Sequence, residues 1–195
     1  MTVATNLPVG PVDADCVVSP PAGKAVRFRD RPVDPDTDPL TFDMWLAAEG
    51  SHGPMEHVHP EQVERLTVRS GRLGLRHDGE RSTLESSETA VIQAGDPHRF
   101  WNAGDGVLHI RGSVAPGLRT ERFMRITYGL AREGAPVTPS GMPLNALRLA
   151  VLLSEYDDML WLATLPLWLQ RVSVDLLAPF GRAVGYDNSY PALLG

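Results

Sequence analysis

Between residues 41 and 116 the chain alternates apolar and polar residues in short runs, and nearly every run ends at glycine or aspartate. Few folds accept that pattern. Thr41–Ala47, Arg65–Val68, Leu73–Arg76, Ala90–Ile92, His98–Asn102 and Val107–Val114 read as strands, because side chains two apart share a sheet face. Between them lie Ser70-Gly71, Asp78-Gly79, Ala94-Gly95-Asp96 and a Gly/Asp turn over 103–106. Asp78-Gly79 predicts a hairpin, since both residues tolerate positive φ. The expectation is a mainly β fold, an antiparallel sandwich or barrel.

The flanks differ. Residues 1–40 are rich in proline, with Pro20, Pro21, Pro32, Pro35 and Pro39 among them, and read as an extended arm with short edge strands. After Pro143, Leu144–Leu165 and Leu167–Val184 carry leucines at helical spacing and are broken by Pro166. They predict a C-terminal two-helix extension. Both are apolar on more than one face, so the barrel or a second subunit must cover them. The expected organisation is an arm (1–40), a barrel core (41–116), a connecting segment (117–142) and a helical extension (143–195).

Composition removes several function classes. Eighteen basic and 24 acidic side chains leave a net charge of −6, which gives no footprint for nucleic acid or an anionic membrane. The longest apolar stretch, Met159–Leu169, is interrupted by Pro166 and falls short of the ~20 residues that span a bilayer. The N-terminus has no basic region followed by an apolar run, so no secretory signal is expected. Cys16 is the only cysteine, which excludes an intramolecular disulfide and makes a cytoplasmic location the expectation. A chain of 195 residues buries enough core without a metal staple. A metal here would serve chemistry.

One stretch carries that chemistry. His57 and His59 are two apart, so in a strand they project to one face, where two imidazoles suit a single ion. Pro60 then ends the ladder. In the next run Glu64 shares its face with Leu66 and Val68; if those point inward, so does the carboxylate, while Arg65, Thr67 and Arg69 face out. A second stretch, Gln93 to Asn102, puts His98, Phe100 and Asn102 on one face, with His98 just past a turn. Met55, Leu66, Val68 and Phe100 are the candidate pocket lining, suited to a fairly apolar ligand. His52, His77 and His109 read as loop, turn and outward residues, and Glu56 and Glu61 as solvated carboxylates.

These two stretches resemble the paired motifs of the cupin superfamily. His57, His59, Glu64 and Gly71, preceded by Gly53, match the first motif, H-x-H-x4-E-x6-G. Gly95, His98 and Asn102 match the second; Gln93 and Ser87 stand where it has proline and glycine, at positions that shape a turn. The resemblance covers about residues 40–116. It implies a jelly-roll β-barrel, a metal site of His57, His59, Glu64 and His98, and frequent dimerisation. A divalent cation would also remove the cost of burying a carboxylate among imidazoles. Iron, manganese, nickel, cobalt, copper and zinc all suit three nitrogens and one oxygen.

The expected function is that of a metal-dependent enzyme acting on a small, fairly apolar molecule, a dioxygenase by preference, with Glu64 as the candidate catalytic group. Two alternatives stay open: a non-redox isomerase, cyclase or dehydratase, and a non-catalytic ligand-binding module. The expected partners are a small-molecule substrate and a second copy of the chain, with neither nucleic acid nor membrane.

Overall fold

The computed structural model describes residues 7–11, 13–48 and 52–188; the first six residues of the expected arm lie outside that range. In chain order the strands are β1 (Cys16–Ser19), β2 (Lys24–Phe28), β3 (Leu40–Leu46), β4 (His57–Val58), β5 (Val63–Ser70), β6 (Leu73–His77), β7 (Glu80–Leu84), β8 (Thr89–Ile92), β9 (His98–Asn102), β10 (Leu108–Ala115) and β11 (Trp161–Leu162). The helices are α1 (Thr120–Arg132), α2 (Ala146–Leu153) and α3 (Leu167–Ala183).

The strands form two antiparallel sheets, one ordered β1-β2-β3-β10-β5-β8 and the other β11-β4-β9-β6-β7. One core lies between them. Val26, Phe42, Leu46, Leu66 and Val68 come from the first sheet, and Leu73, Leu75 and Phe100 from the second. The fold is a jelly-roll sandwich in which inward residues of both sheets interdigitate. The alternation of β5 holds: Glu64, Leu66 and Val68 are buried, Arg65 and Arg69 exposed. Asp78 and Gly79 join β6 to β7 with φ of 48° and 84°, as a two-residue turn of this type requires.

Helix α1 departs from expectation; it falls in the segment read as a connection. Its Phe123, Ile126 and Leu130 pack with Leu152, Tyr156 and Met159 in a second core. The helix expected over Leu144–Leu165 is shorter than predicted. Asn145 caps α2 by accepting a hydrogen bond from the Arg148 amide at 3.0 Å, and α2 ends at Leu153. Trp161 and Leu162 then pair with Val58 and His57 as an edge strand. Tertiary pairing overrides the local leucine-rich preference. Helix α3 follows its prediction closely and leaves Trp168, Val172, Leu176 and Phe180 exposed. No helix is long and apolar enough to cross a membrane among the described residues.

A buried charge network locks the outer face of β3. Asp43 accepts from Arg29 Nε at 2.6 Å and from Arg111 Nε and Nη2 at 2.7 and 3.1 Å, with His109 Nε2 3.2 Å away. His109 also stacks on Trp45, their ring centroids 4.6 Å apart, so it points away from the core as expected. Burial alone would push the Asp43 carboxyl up; the hydrogen bonds from Arg111, Arg29 and His109 outweigh it and hold it at about 2. A carboxyl depressed in the folded state stabilises the protein above its ordinary pKa of 3.8 and stops doing so as pH falls towards 2. Holding a carboxyl that far below its ordinary value is worth about 2 kcal/mol at pH 7, and Asp43→Asn is expected to lose that stabilisation. Urea unfolding should show the full gap at pH 7 and about half of it at pH 3.

Candidate metal centre

Three local features bring the four candidate ligands together. First, β4 is only two residues long and pairs His57 directly with His98 of β9. Second, Gly53 approaches β9 so closely that its amide donates to Phe100 O at 3.1 Å. A Cβ at residue 53 would lie 2.2 Å from that oxygen, so only glycine lets the loop deliver His57. Third, the turn before β8 keeps the backbone shape its motif calls for. Ser87, standing where glycine is usual, has φ of 75°, a left-handed conformation that costs a residue with a Cβ about 1 kcal/mol.

His57, His59, Glu64 and His98 are all buried, and one ligand atom from each lies within 4.8 Å of the others. Each imidazole has one nitrogen on a backbone carbonyl. His57 Nδ1 donates to Met55 O at 2.8 Å, His59 Nδ1 to Met159 O at 2.8 Å and His98 Nδ1 to Asp96 O at 3.0 Å. A carbonyl only accepts, so Nδ1 carries the proton in each ring and Nε2 faces the centre. Metal-binding histidines are held this way.

The inward atoms crowd one another. His57 Nε2 and His59 Nε2 are 3.2 Å apart, and His98 Nε2 is 2.8 Å from Glu64 Oε2. Two unprotonated nitrogens at 3.2 Å repel unless a cation lies between them. Nitrogens bound to one ion at ~2.1 Å would be about 3.0–3.4 Å apart, so the donor set fits a divalent transition metal. The charge states agree. Burial, reinforced by the neighbouring histidines, holds His57 well below its usual pKa, and burial also lowers His59. Burial opposes charge on Glu64 and His98 as well, but their mutual hydrogen bond prevails, lowering the carboxyl and raising the imidazole. An arriving cation would therefore meet two imidazoles held neutral and a carboxylate, and would replace the hydrogen bond between His98 and Glu64.

The centre opens on a cavity of about 90 Å³. His57, His59 and Glu64 form part of its wall, and Met44, Met55, Phe100, Phe123, Met124 and Met142 much of the rest. Of the four residues expected to line a pocket, Met55 and Phe100 do so. Leu66 and Val68 do not; they lie in the sandwich core with almost no exposed surface. Alternation gave their face correctly but carries no information on depth. His77 is not in the turn but closes strand β6, where its Nε2 meets Asp96 Oδ2 at 2.9 Å. Glu56 pairs with Arg76 at 3.5 Å.

Two participants have no place in the sequence motifs. Met159, one hundred residues from His59, supplies the carbonyl that orients it, and Leu160 and Leu162 of the same segment wall the cavity. Local pattern carries no trace of so distant a contact. Lys24 also lines the cavity. Its signal lies in the sequence: in β2 it alternates with Val26 and Phe28, both core residues.

A family model described as "Cupin domain" matches residues 44–111. A protein of Hypocrea virens described as "Probable oxidoreductase virH" is 29% identical over 161 residues, covering 74% of this chain and 69% of its own. Among solved structures, the cupin domain of a transcriptional regulator from Enterobacter cloacae is 23% identical, with a TM-score of 0.39 over 47% of this chain and 95% of that one. A cupin described as a sugar phosphate isomerase from Silicibacter pomeroyi is 20% identical, with a TM-score of 0.44 over 54% and 74%. The matched segment contains β4 through β9 and every candidate ligand. The jelly roll is built around that segment, so the chain contains a cupin domain over residues 44–111.

Proposed function

We propose that this protein is a metal-dependent oxidoreductase of the dioxygenase type, acting on a small and largely apolar molecule. One observation carries the reading: three imidazoles and a carboxylate, each imidazole fixed through Nδ1, converge at the wall of an apolar cavity. His57, His59, Glu64 and His98 would hold one divalent transition metal, which when bound supplies Lewis-acid and redox chemistry with coordination positions left over. The similarity to a protein described as an oxidoreductase favours the redox side. Around the centre, Met55, Phe100 and the α1 side chains Phe123 and Met124 exclude water and orient the substrate. Glu64 is the candidate proton acceptor, since its buried carboxyl stays ionised. On this reading the exposed apolar stripe of α3 is the contact surface of a homodimer, because so continuous a patch is unusual on a monomer.

Oxygen uptake tests the reaction type. With iron- or manganese-loaded protein and a panel of small aromatic and enolic compounds, turnover should consume oxygen in step with substrate. Equal turnover under strict anaerobiosis would contradict the dioxygenase and favour an isomerase, cyclase or dehydratase.

A further inference from the structure

Lys24 is the only lysine in the chain; the other 17 basic residues are arginines. It is buried at the start of β2 and lines the same cavity as His57, His59 and Glu64. Its Nζ donates to Gly53 O at 3.0 Å and to Ser140 O at 2.7 Å. An ammonium has three N–H donors, so one remains, and no carboxylate pairs with Lys24 among the described residues. Burial without a countercharge pulls the ammonium down to about 7.

A purely structural role explains this poorly. Tying two carbonyls together needs only a neutral donor, whereas burying an unpaired ammonium is costly. That cost is recovered when something negative arrives. The rest of the wall is mostly apolar, with Met44, Phe123 and Met142 also in it, so among the described residues an anion entering there would find Lys24 as the one Lys or Arg side chain of the lining.

We propose that Lys24 anchors an anionic oxygen of the substrate, which makes the cavity selective for small molecules with one carboxylate or enolate and an otherwise apolar body. This rests on the reading of the cavity as the substrate pocket and adds to it a substrate class. The anchored oxygen is held by the remaining N–H of Lys24, and the apolar body meets the methionine and phenylalanine walls. Gly53, which accepts from Lys24, also sets the loop that delivers His57, so the anchor and the metal centre share one mechanical support.

Because the chain has a single lysine, protein labelled with lysine carrying ¹³C at Cε gives one lysine resonance. It should be titrated with isobutyrate and benzoate, and in parallel with their neutral amides. Both carboxylates should shift the resonance saturably and bind at least tenfold more tightly than the amides. Lys24→Met should lose at least tenfold in carboxylate affinity and keep its amide affinity. The wild-type titration decides the matter even if that variant does not fold. A resonance that carboxylates leave unmoved, or carboxylates and amides binding alike, would overturn the anchor. Metal content of the same samples keeps the two readings apart. A lysine shift in protein that takes up no metal sinks the metal centre alone, and metal-replete protein without the shift sinks the anchor alone.

Discussion

Replacing His57 and His59 together with alanine should reduce bound metal from about one ion per chain to none. The pair supplies two of the four converging ligand atoms, and their Nε2 atoms lie only 3.2 Å apart. Loss of a residue that merely orients a ligand costs roughly 10–100-fold in affinity. Loss of two ligands should therefore exceed about 10⁴-fold. The fold should survive, because none of the four ligands belongs to the main apolar core, which comprises Phe42, Leu46, Leu66, Leu73 and their neighbours. Circular dichroism should match the parent protein while metal analysis and activity fall to background. A double variant that keeps stoichiometric metal would remove the site.

A chain ended after Pro139 should fail to form a stable, metal-competent protein. The missing part contains Met142, Leu152, Tyr156, Met159 and Leu160, all buried in the core they share with Phe123, Ile126 and Leu130 of α1. Each large apolar side chain contributes about 1.5–3 kcal/mol when buried, so the loss is comparable with the roughly 5–15 kcal/mol that separates folded from unfolded domains. The truncation also removes the Met159 carbonyl that fixes the His59 ring and the β11 strand that pairs with His57. Soluble yield, thermal melting and metal content should all collapse. A truncated chain that stays soluble and binds metal normally would show that the C-terminal region is an appendage.

Much of the centre is legible in the sequence because strands report orientation locally. The two-residue spacing of His57 and His59, and of Glu64, Leu66 and Val68, fixes which side chains share a face, and the structure keeps those faces. Turn chemistry is equally plain at Asp78 and Gly79. Depth is not legible: Leu66 and Val68 carry the same alternation as Glu64, yet they sit in the core and away from the cavity. Long-range closure is not legible either, since nothing local to Met159 announces a bond to His59. Helix α1 carries a signal in Phe123, Ile126 and Leu130, which recur at i, i+3 and i+7 as in an amphipathic helix, but its arginines, threonines and glycine obscure it. Lys24 is a similar case, where the pattern is present but a charged residue is ordinarily expected to face water. Its inward position follows from the same alternation that buries Val26 and Phe28.

The most direct measurement is diffraction at a metal absorption edge from crystals loaded with manganese, cobalt or zinc. One anomalous peak is predicted among Nε2 of His57, His59 and His98 and the Glu64 carboxylate, about 2.0–2.2 Å from each. Glu64 and His98 should then exchange their mutual hydrogen bond for bonds to the ion. A loaded crystal in which that hydrogen bond persists and the metal scatters elsewhere would contradict the account.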